Sequence, residues 1–155
     1  MQEVSIEQWH ENYRQDFVSL SLEWLAKYVS IEPIDLEILN DPEGYILSKG
    51  GAIFFARLDG ETVGTVAMIP SEGESFELAK LAVTEKYKGL RIGQLLMERC
   101  IEFAKEREAK KIFLFTTSIL VAAVNLYRRN AFEDVDLADN KYVEADMRME
   151  LVLRS

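Results

Sequence analysis

The chain has 155 residues, of which 48% are hydrophobic and 29% charged, a composition typical of a globular protein with a substantial core. Its formal net charge of −9 argues against a nucleic-acid partner, because phosphate binding needs a basic surface, and favours a cationic or amine partner. A single cysteine excludes an internal disulfide and a cysteine-based zinc site. With no signal-peptide pattern and no membrane-spanning run, we expect a cytoplasmic protein.

The first part of the chain is predicted to be mainly helical. Aromatic and aliphatic residues recur at helical spacing over residues 8–18 and 21–29, which predicts two helices. Pro33 can open a third helix that covers residues 35–40 and ends before Asp41-Pro42. Residues 4–6 are predicted to form a short edge strand.

The periodicity then changes to that of strands. Residues 51–58 end in the hairpin dipeptide Asp59-Gly60, residues 62–69 stop at Pro70, and residues 75–83 follow a second turn. These three segments predict an antiparallel meander.

The rest of the chain alternates helices and strands. Residues 91–107 carry an apolar helical stripe, and the continuous apolar run 112–115 is typical of a strand covered on both faces. A helix is predicted over residues 119–129 and a half-exposed strand over residues 145–153. The predicted fold class is α+β, with a single mixed, mostly antiparallel sheet flanked by helices.

The sharpest charge anomaly lies between the third strand of the meander and the long helix. Four basic residues meet one acid there, Glu85; they are Lys80, Lys86, Lys88 and Arg91. Gly89 and Gly93 flank the strand-to-helix turn, and the first amides of a helix can bind an anion if glycine lets it approach. The segment therefore predicts a phosphate cradle; the alternative is a loop glycine and a close helix contact beside solvated lysines.

Two motifs in this region resemble the GNAT superfamily of N-acetyltransferases. The stretch L-A-V-T-E-K-Y-K-G-L-R-I-G-Q-L-L-M, residues 81–97, is similar to its acyl-CoA-binding motif. The stretch A-A-V-N-L-Y-R-R-N-A-F, residues 122–132, is similar to its A-x-x-L-Y-x-x-x-G-F pattern, with Ala131 in place of the usual glycine. The resemblance covers residues 51–153 in the expected order of elements.

The resemblance implies an acyl-CoA N-acyltransferase fold in one domain, residues 1–155. Residues 51–153 would form the acyl-CoA-binding core and residues 1–49 a helical acceptor-side region. The pantetheine of the co-substrate would pair with the edge of the strand at residues 81–83, which would splay from the strand at residues 112–115. Its pyrophosphate would lie on the backbone amides of residues 88–94, with one amide side chain as a further candidate. The implied cofactor-binding residues are Leu81, Ala82, Val83, Lys88, Gly89, Leu90, Arg91, Ile92, Gly93, Gln94 and Asn125.

Arg91 departs from the family pattern, which has a glycine at this position. We expect its backbone to keep ordinary helical angles, or its side chain to swing outward and pair with a phosphate. Asn125 has an equally simple reading as an exposed helix residue, and Lys80 and Lys86 are read as solvated charges that raise the local potential.

The resemblance also implies the catalytic candidates Tyr127 and Glu77. Tyr127 would protonate the departing coenzyme A sulfur, mainly by hydrogen bonding, because its usual pKa of about 10 exceeds that of a thiol. Glu77 would act as the base, which needs a raised pKa or a relay of waters. Each has a structural alternative: Tyr127 as a core aromatic and Glu77 as an exposed strand residue.

The function implied is an acetyl-CoA-dependent N-acetyltransferase with no metal, whose amine attacks the thioester directly. The acceptor would be a small-molecule or peptide amine covered by Trp24, Tyr28, Glu32, Asp35 and Tyr45, with core packing as the alternative for most of the aromatic residues. A homodimer is left open. The alternative is a non-catalytic acyl-CoA-binding sensor or partner module.

Overall fold

The computed structural model describes residues 3–87, 90–137 and 141–154. Strands and helices follow one another along the chain, with two short 3₁₀ turns at Glu11–Tyr13 and Leu47–Lys49. The strands are β1 (Ser5–Gln8), β2 (Ala52–Leu58), β3 (Glu61–Ser71), β4 (Ser75–Val83), β5 (Lys111–Thr116), β6 (Glu133–Val135) and β7 (Met147–Val152). The helices are α1 (Arg14–Tyr28), α2 (Pro33–Asn40), α3 (Pro42–Tyr45), α4 (Ile92–Glu106) and α5 (Val121–Arg129).

The strands of the described residues form one sheet in the order β1-β2-β3-β4-β5-β7-β6. Every neighbouring pair is antiparallel except β4 and β5, which are parallel. The predicted α+β class with a mixed, mostly antiparallel sheet is therefore confirmed.

Helices cover both faces of the sheet, and β2 shows why. Its alternate residues Ile53 and Phe55 pack with Phe17 of α1 and Ile38 of α2, whereas Phe54 and Ala56 face the core under α4. A strand with such a pattern is buried on both sides because successive side chains point to opposite faces. The face under α4 also holds Tyr127 of α5.

Three predicted boundaries near the amino terminus and in the meander were wrong. Helix α1 begins at Arg14 rather than at residue 8, because residues 5–8 pair with β2 as a strand and Glu11–Tyr13 forms a 3₁₀ turn. It then continues through Ser19, which is exposed and accepts a hydrogen bond from Gln15 at 3.0 Å, so one helix replaces the two predicted ones. Strand β3 continues past Pro70 to Ser71. The pairing between β2 and β3 ends at Met68. Pro70, which has no amide hydrogen, therefore interrupts no hydrogen bond between these two strands.

The connection between β4 and α4 sets up the site. Helix α4 lies close to β3 at Gly64, where an added Cβ would be 3.0 Å from Ile92 Cγ2 and 3.1 Å from Leu96 Cδ1. The absence of a side chain at Gly64 therefore brings the first turn of α4 against the sheet beside β4.

Candidate active site

Strands β4 and β5 separate after a short stretch of pairing. The described pairs join Ser75–Glu77 of β4 to Lys111–Phe113 of β5, although both strands run on, to Val83 and Thr116. A cleft opens beyond the last pair, and its walls include Leu81 and Ala82 of β4 and Thr116 of β5. The predicted splay between these strands is present.

A β-bulge in β4 lies beside this separation. Thr65 pairs with Ala82 and Ala67 with Ala79, so Lys80 and Leu81 together oppose the single residue Val66. Lys80 has a positive φ of 57°, which is uncommon for a side chain other than glycine. A bulge bends its strand and increases the local twist, which directs β4 away from β5.

The amino terminus of α4 presents amides that the helix does not use. The first intrahelical bond of this turn runs from the Leu95 amide to the Arg91 carbonyl oxygen at 3.0 Å. The amides of Ile92, Gly93 and Gln94 precede it, and they carry the partial positive charge of a helix start. Two further residues of the predicted cradle, Lys88 and Gly89, lie outside the described part of the chain.

Arg91 contradicts the expected helical backbone. It caps α4 with φ 56° and ψ 33°, the left-handed conformation, and its side chain is exposed. The family glycine at this position suits that conformation, since glycine has no Cβ to clash. The arginine therefore retains the glycine-like backbone rather than replacing it with a helical one.

Gly93 and Gln94 also serve the contact between α4 and α5. An added Cβ at Gly93 would meet Leu126 Cδ2 at 3.4 Å. The Gln94 and Asn130 side chains exchange two hydrogen bonds, of 3.0 and 2.8 Å. The close helix contact proposed as the alternative reading of Gly93 is thus present, beside the amides described above.

The basic cluster is more neutralised than the sequence indicated. Lys80 is not solvated: its side chain is 5% exposed and pairs with Asp35, whose side chain is 4% exposed. Burial of an ammonium requires such a partner, and the bulge points Lys80 toward α2. Lys86 is exposed and pairs with Glu61 at 3.1 Å, and Glu85 binds both Lys27 and Tyr28.

Glu77 is buried rather than exposed, which corrects the structural alternative for this residue. Its carboxylate accepts a hydrogen bond from Tyr142 Oη at 3.0 Å and pairs with Lys141 Nζ at 2.7 Å. Burial and the neighbouring Glu77 carboxylate raise the pKa of Tyr142 well above its usual range, so its phenol is a neutral donor.

Tyr127 of α5 lines the same cleft as Glu77. It also belongs to the core, with its ring centroid 6.0 Å from that of Phe132. Burial raises the pKa of Tyr127 to about 12, so the phenol holds its proton at neutral pH and is available as a donor. The core position and the place in the cleft are therefore compatible.

Of the other predicted site residues, some line the cleft and others lie outside it. Trp24, Glu32 and Asp35 line the cleft, as the acceptor-side prediction required. Over the described residues the lining does not include Val83, residues 90–94 or Asn125, which is exposed on α5. Tyr28 and Tyr45 instead bind Glu85 and Glu37.

The sequence reasoning missed the segment that covers the acceptor side of the cleft. In this segment, residues 141–145, the Tyr142 ring lies 5.8 Å from that of Phe115 and beside the Lys80 ammonium. The amides of Val143 and Glu144 donate to the Glu32 carboxylate at 2.8 and 3.1 Å. Irregular backbone has no periodicity, so no signal in the sequence could place it.

The described residues contain neither a metal-ligand cluster nor a helix able to span a membrane. No cluster of three or more metal-ligating side chains occurs among them. None of their helices combines the length and the apolar character needed to cross a bilayer.

Comparison with known proteins identifies the family. Residues 6–132 match the Acetyltransferase (GNAT) family, and the chain belongs to that family. An acetyltransferase of the GNAT family from Staphylococcus aureus Mu50 has the same fold, with a TM-score of 0.90 at 22% identity over 98% of this chain and 100% of that one.

Two curated relatives are similar in sequence. A probable N-acetyltransferase camello of Xenopus tropicalis is 35% identical over 99 residues, which cover 63% of this chain and 45% of that protein. N-acetylaspartate synthetase of Mus musculus is 34% identical over 118 residues, which cover 75% of this chain and 39% of that protein. The matched region thus spans less than half the length of either relative.

Proposed function

We propose that this chain is an N-acetyltransferase that transfers the acetyl group of acetyl-CoA to a primary amine by direct attack on the thioester. The observation that carries the proposal is that Glu77 and Tyr127 line one cleft between the separated strands β4 and β5. Membership of the acetyltransferase family and the names of the two relatives support the same reaction.

Acetyl-CoA would bind with its pantetheine along the part of β4 that does not pair with β5. There Leu81 and Ala82 line the cleft, and Val83 continues the edge of β4 beyond its pairs with β5. The pyrophosphate would lie on the amides of residues 88–94, with the exposed Arg91 guanidinium as a countercharge. Asn125 stays a candidate amide partner.

The reaction needs a neutral amine, a stabilised oxyanion and a proton for the thiolate. Glu77 would accept the proton of the incoming amine, with relay waters as the second route. The Tyr127 phenol would donate to the sulfur as the carbon–sulfur bond breaks. A backbone amide of the bulged β4 would stabilise the oxyanion, because fixed amides need no reorganisation.

The acceptor is proposed to be a cationic primary amine, from a small molecule or a peptide. Four carboxylates and one ammonium line the cleft; these are Glu32, Asp35, Glu77, Glu144 and Lys80. Cytoplasmic location is part of the proposal, since the single cysteine, Cys100, is free and buried, which suits a reducing compartment.

The test is a calorimetric titration with acetyl-CoA followed by measurement of free-thiol release with a panel of primary amines. We expect saturable binding and amine-dependent thiol release, and Glu77→Gln should reduce that release about 100-fold. Glu72→Gln, an exposed carboxylate in the turn before β4, is the matched control. Binding without thiol release from any amine would favour the sensor, and no binding would refute both functions.

A further inference from the structure

The chain places one of its own amines where the proposed reaction needs its acceptor. Lys141 Nζ lies 2.7 Å from Glu77 Oε1. Glu77 is the carboxylate that would take the proton of the acceptor, so an amine in hydrogen-bond contact with it occupies the acceptor position. This inference rests on the proposed function.

The residues after Lys141 hold it at this position. Tyr142 Oη donates to the other oxygen of Glu77 at 3.0 Å, and the Val143 and Glu144 amides bind Glu32. A reactive group fixed beside its partner behaves as if it were at high local concentration. Contact with the proposed base therefore favours the Lys141 amine over the other lysines of the described residues.

Lys80, the lysine that lines the cleft, does not satisfy the same conditions. Its ammonium is almost fully buried and pairs with Asp35. The Lys141 side chain is 38% exposed, so its amine can rotate from the carboxylate toward a bound thioester. Only Lys141 combines contact with Glu77 and freedom to move, among the lysines of the described residues.

We propose that Lys141 is a self-acetylation site of this protein. The ammonium gives one proton to Glu77, and the neutral nitrogen attacks the thioester carbon, forming the nitrogen–carbon bond. The carbon–sulfur bond then breaks, and a second proton, lost by the nitrogen, ends on the sulfur with Tyr127 as donor. The products are Nε-acetyl-Lys141, free coenzyme A and one proton released from Glu77 to solvent.

Acetylation would remove the charge that Lys141 brings to Glu77. An acetamide can no longer form the ion pair, so the carboxylate would lose its 2.7 Å partner. The modification thus changes the charge of the acceptor side of the cleft as well as the lysine itself.

The test incubates the 155-residue chain with acetyl-CoA and no added amine, and follows intact mass and peptide maps over time. We expect one acetyl group, on Lys141, at a first-order rate that does not change with protein concentration. Its rate should exceed that of any other lysine by roughly tenfold or more. Lys141→Arg should abolish the reaction, whereas Lys110→Arg, at an exposed lysine paired with Glu74 at 3.4 Å, should not.

Each other outcome refutes the inference in a distinguishable way. Equal acetylation of several lysines would indicate uncatalysed chemistry, and a rate proportional to protein concentration would indicate transfer between molecules. Unmodified Lys141 in a preparation that releases thiol with external amines would overturn self-acetylation alone. Absence of both acetyl-CoA binding and thiol release would overturn the proposed function with it.

Discussion

Replacing Arg91 by glycine should stabilise the protein, although it removes a side chain from the predicted cofactor site. Arg91 has φ 56° and ψ 33° at the start of α4. The left-handed conformation costs a residue with a Cβ about 1–2 kcal/mol. Glycine avoids that cost but adds about 0.5–1 kcal/mol of backbone entropy to the unfolded state. The free energy of unfolding should therefore rise by about 0.5–1 kcal/mol.

Thermal unfolding followed by circular dichroism can measure this difference. In a chain of this size, about 1 kcal/mol corresponds to a change in Tm of roughly 2–4 °C. Arg91→Ala is the matched control, because it removes the guanidinium and keeps the Cβ. Arg91→Gly should therefore unfold at a higher temperature than both the parent protein and Arg91→Ala.

The two variants also distinguish the effect of the Arg91 backbone from the effect of its charge on acetyl-CoA binding. If the guanidinium pairs with a phosphate, both variants should lose the same affinity, since both lose the charge. A glycine variant that unfolds at or below the temperature of the alanine variant would refute the left-handed assignment.

Three further predictions concern the cleft. Tyr127→Phe should lower turnover about 100-fold and leave acetyl-CoA affinity unchanged, and equal loss of both would contradict the general-acid role. Because burial raises the pKa of Tyr127 from 10 to about 12, the unfolded state loses this proton first and stability falls between these pH values. In urea titrations over this pH range, the free energy of unfolding should fall by about 2–3 kcal/mol less for Tyr127→Phe than for the parent protein. Asp35→Asn should lower the free energy of unfolding by about 3–5 kcal/mol, because it leaves the Lys80 ammonium buried and unpaired. Lys80→Met combined with Asp35→Leu should recover most of this loss; a small effect of Asp35→Asn would show that Lys80 reaches water.

The elements with regular periodicity were predictable from the sequence. Strand β5 was evident as a solid apolar run and α4 as an amphipathic stripe, because burial imposes those patterns. Strand β6 was missed, since Glu133, Asp134 and Val135 are all exposed and show no alternation. The resemblance to the family motifs also predicted the separation of β4 from β5 and the choice of Tyr127 as a catalytic candidate.

The parts that failed depend on contacts between distant residues. Nothing local to Lys80 indicates that it meets Asp35, which lies 45 positions earlier in the chain. Tyr142 reaches Glu77 across 65 positions, from a segment without regular structure. The left-handed backbone of Arg91 was also unpredictable, because arginine seldom adopts it and the sequence alone favours a helix.

We propose that the cleft between β4 and β5 transfers acetyl groups to amines, and a product balance tests this reaction most directly. Free thiol and N-acetylated amine would be counted in one reaction of the protein with acetyl-CoA and a primary amine. We expect equal amounts of both products, with neither formed without the protein. Saturable acetyl-CoA binding with no acetylated amine from any member of the panel would contradict it.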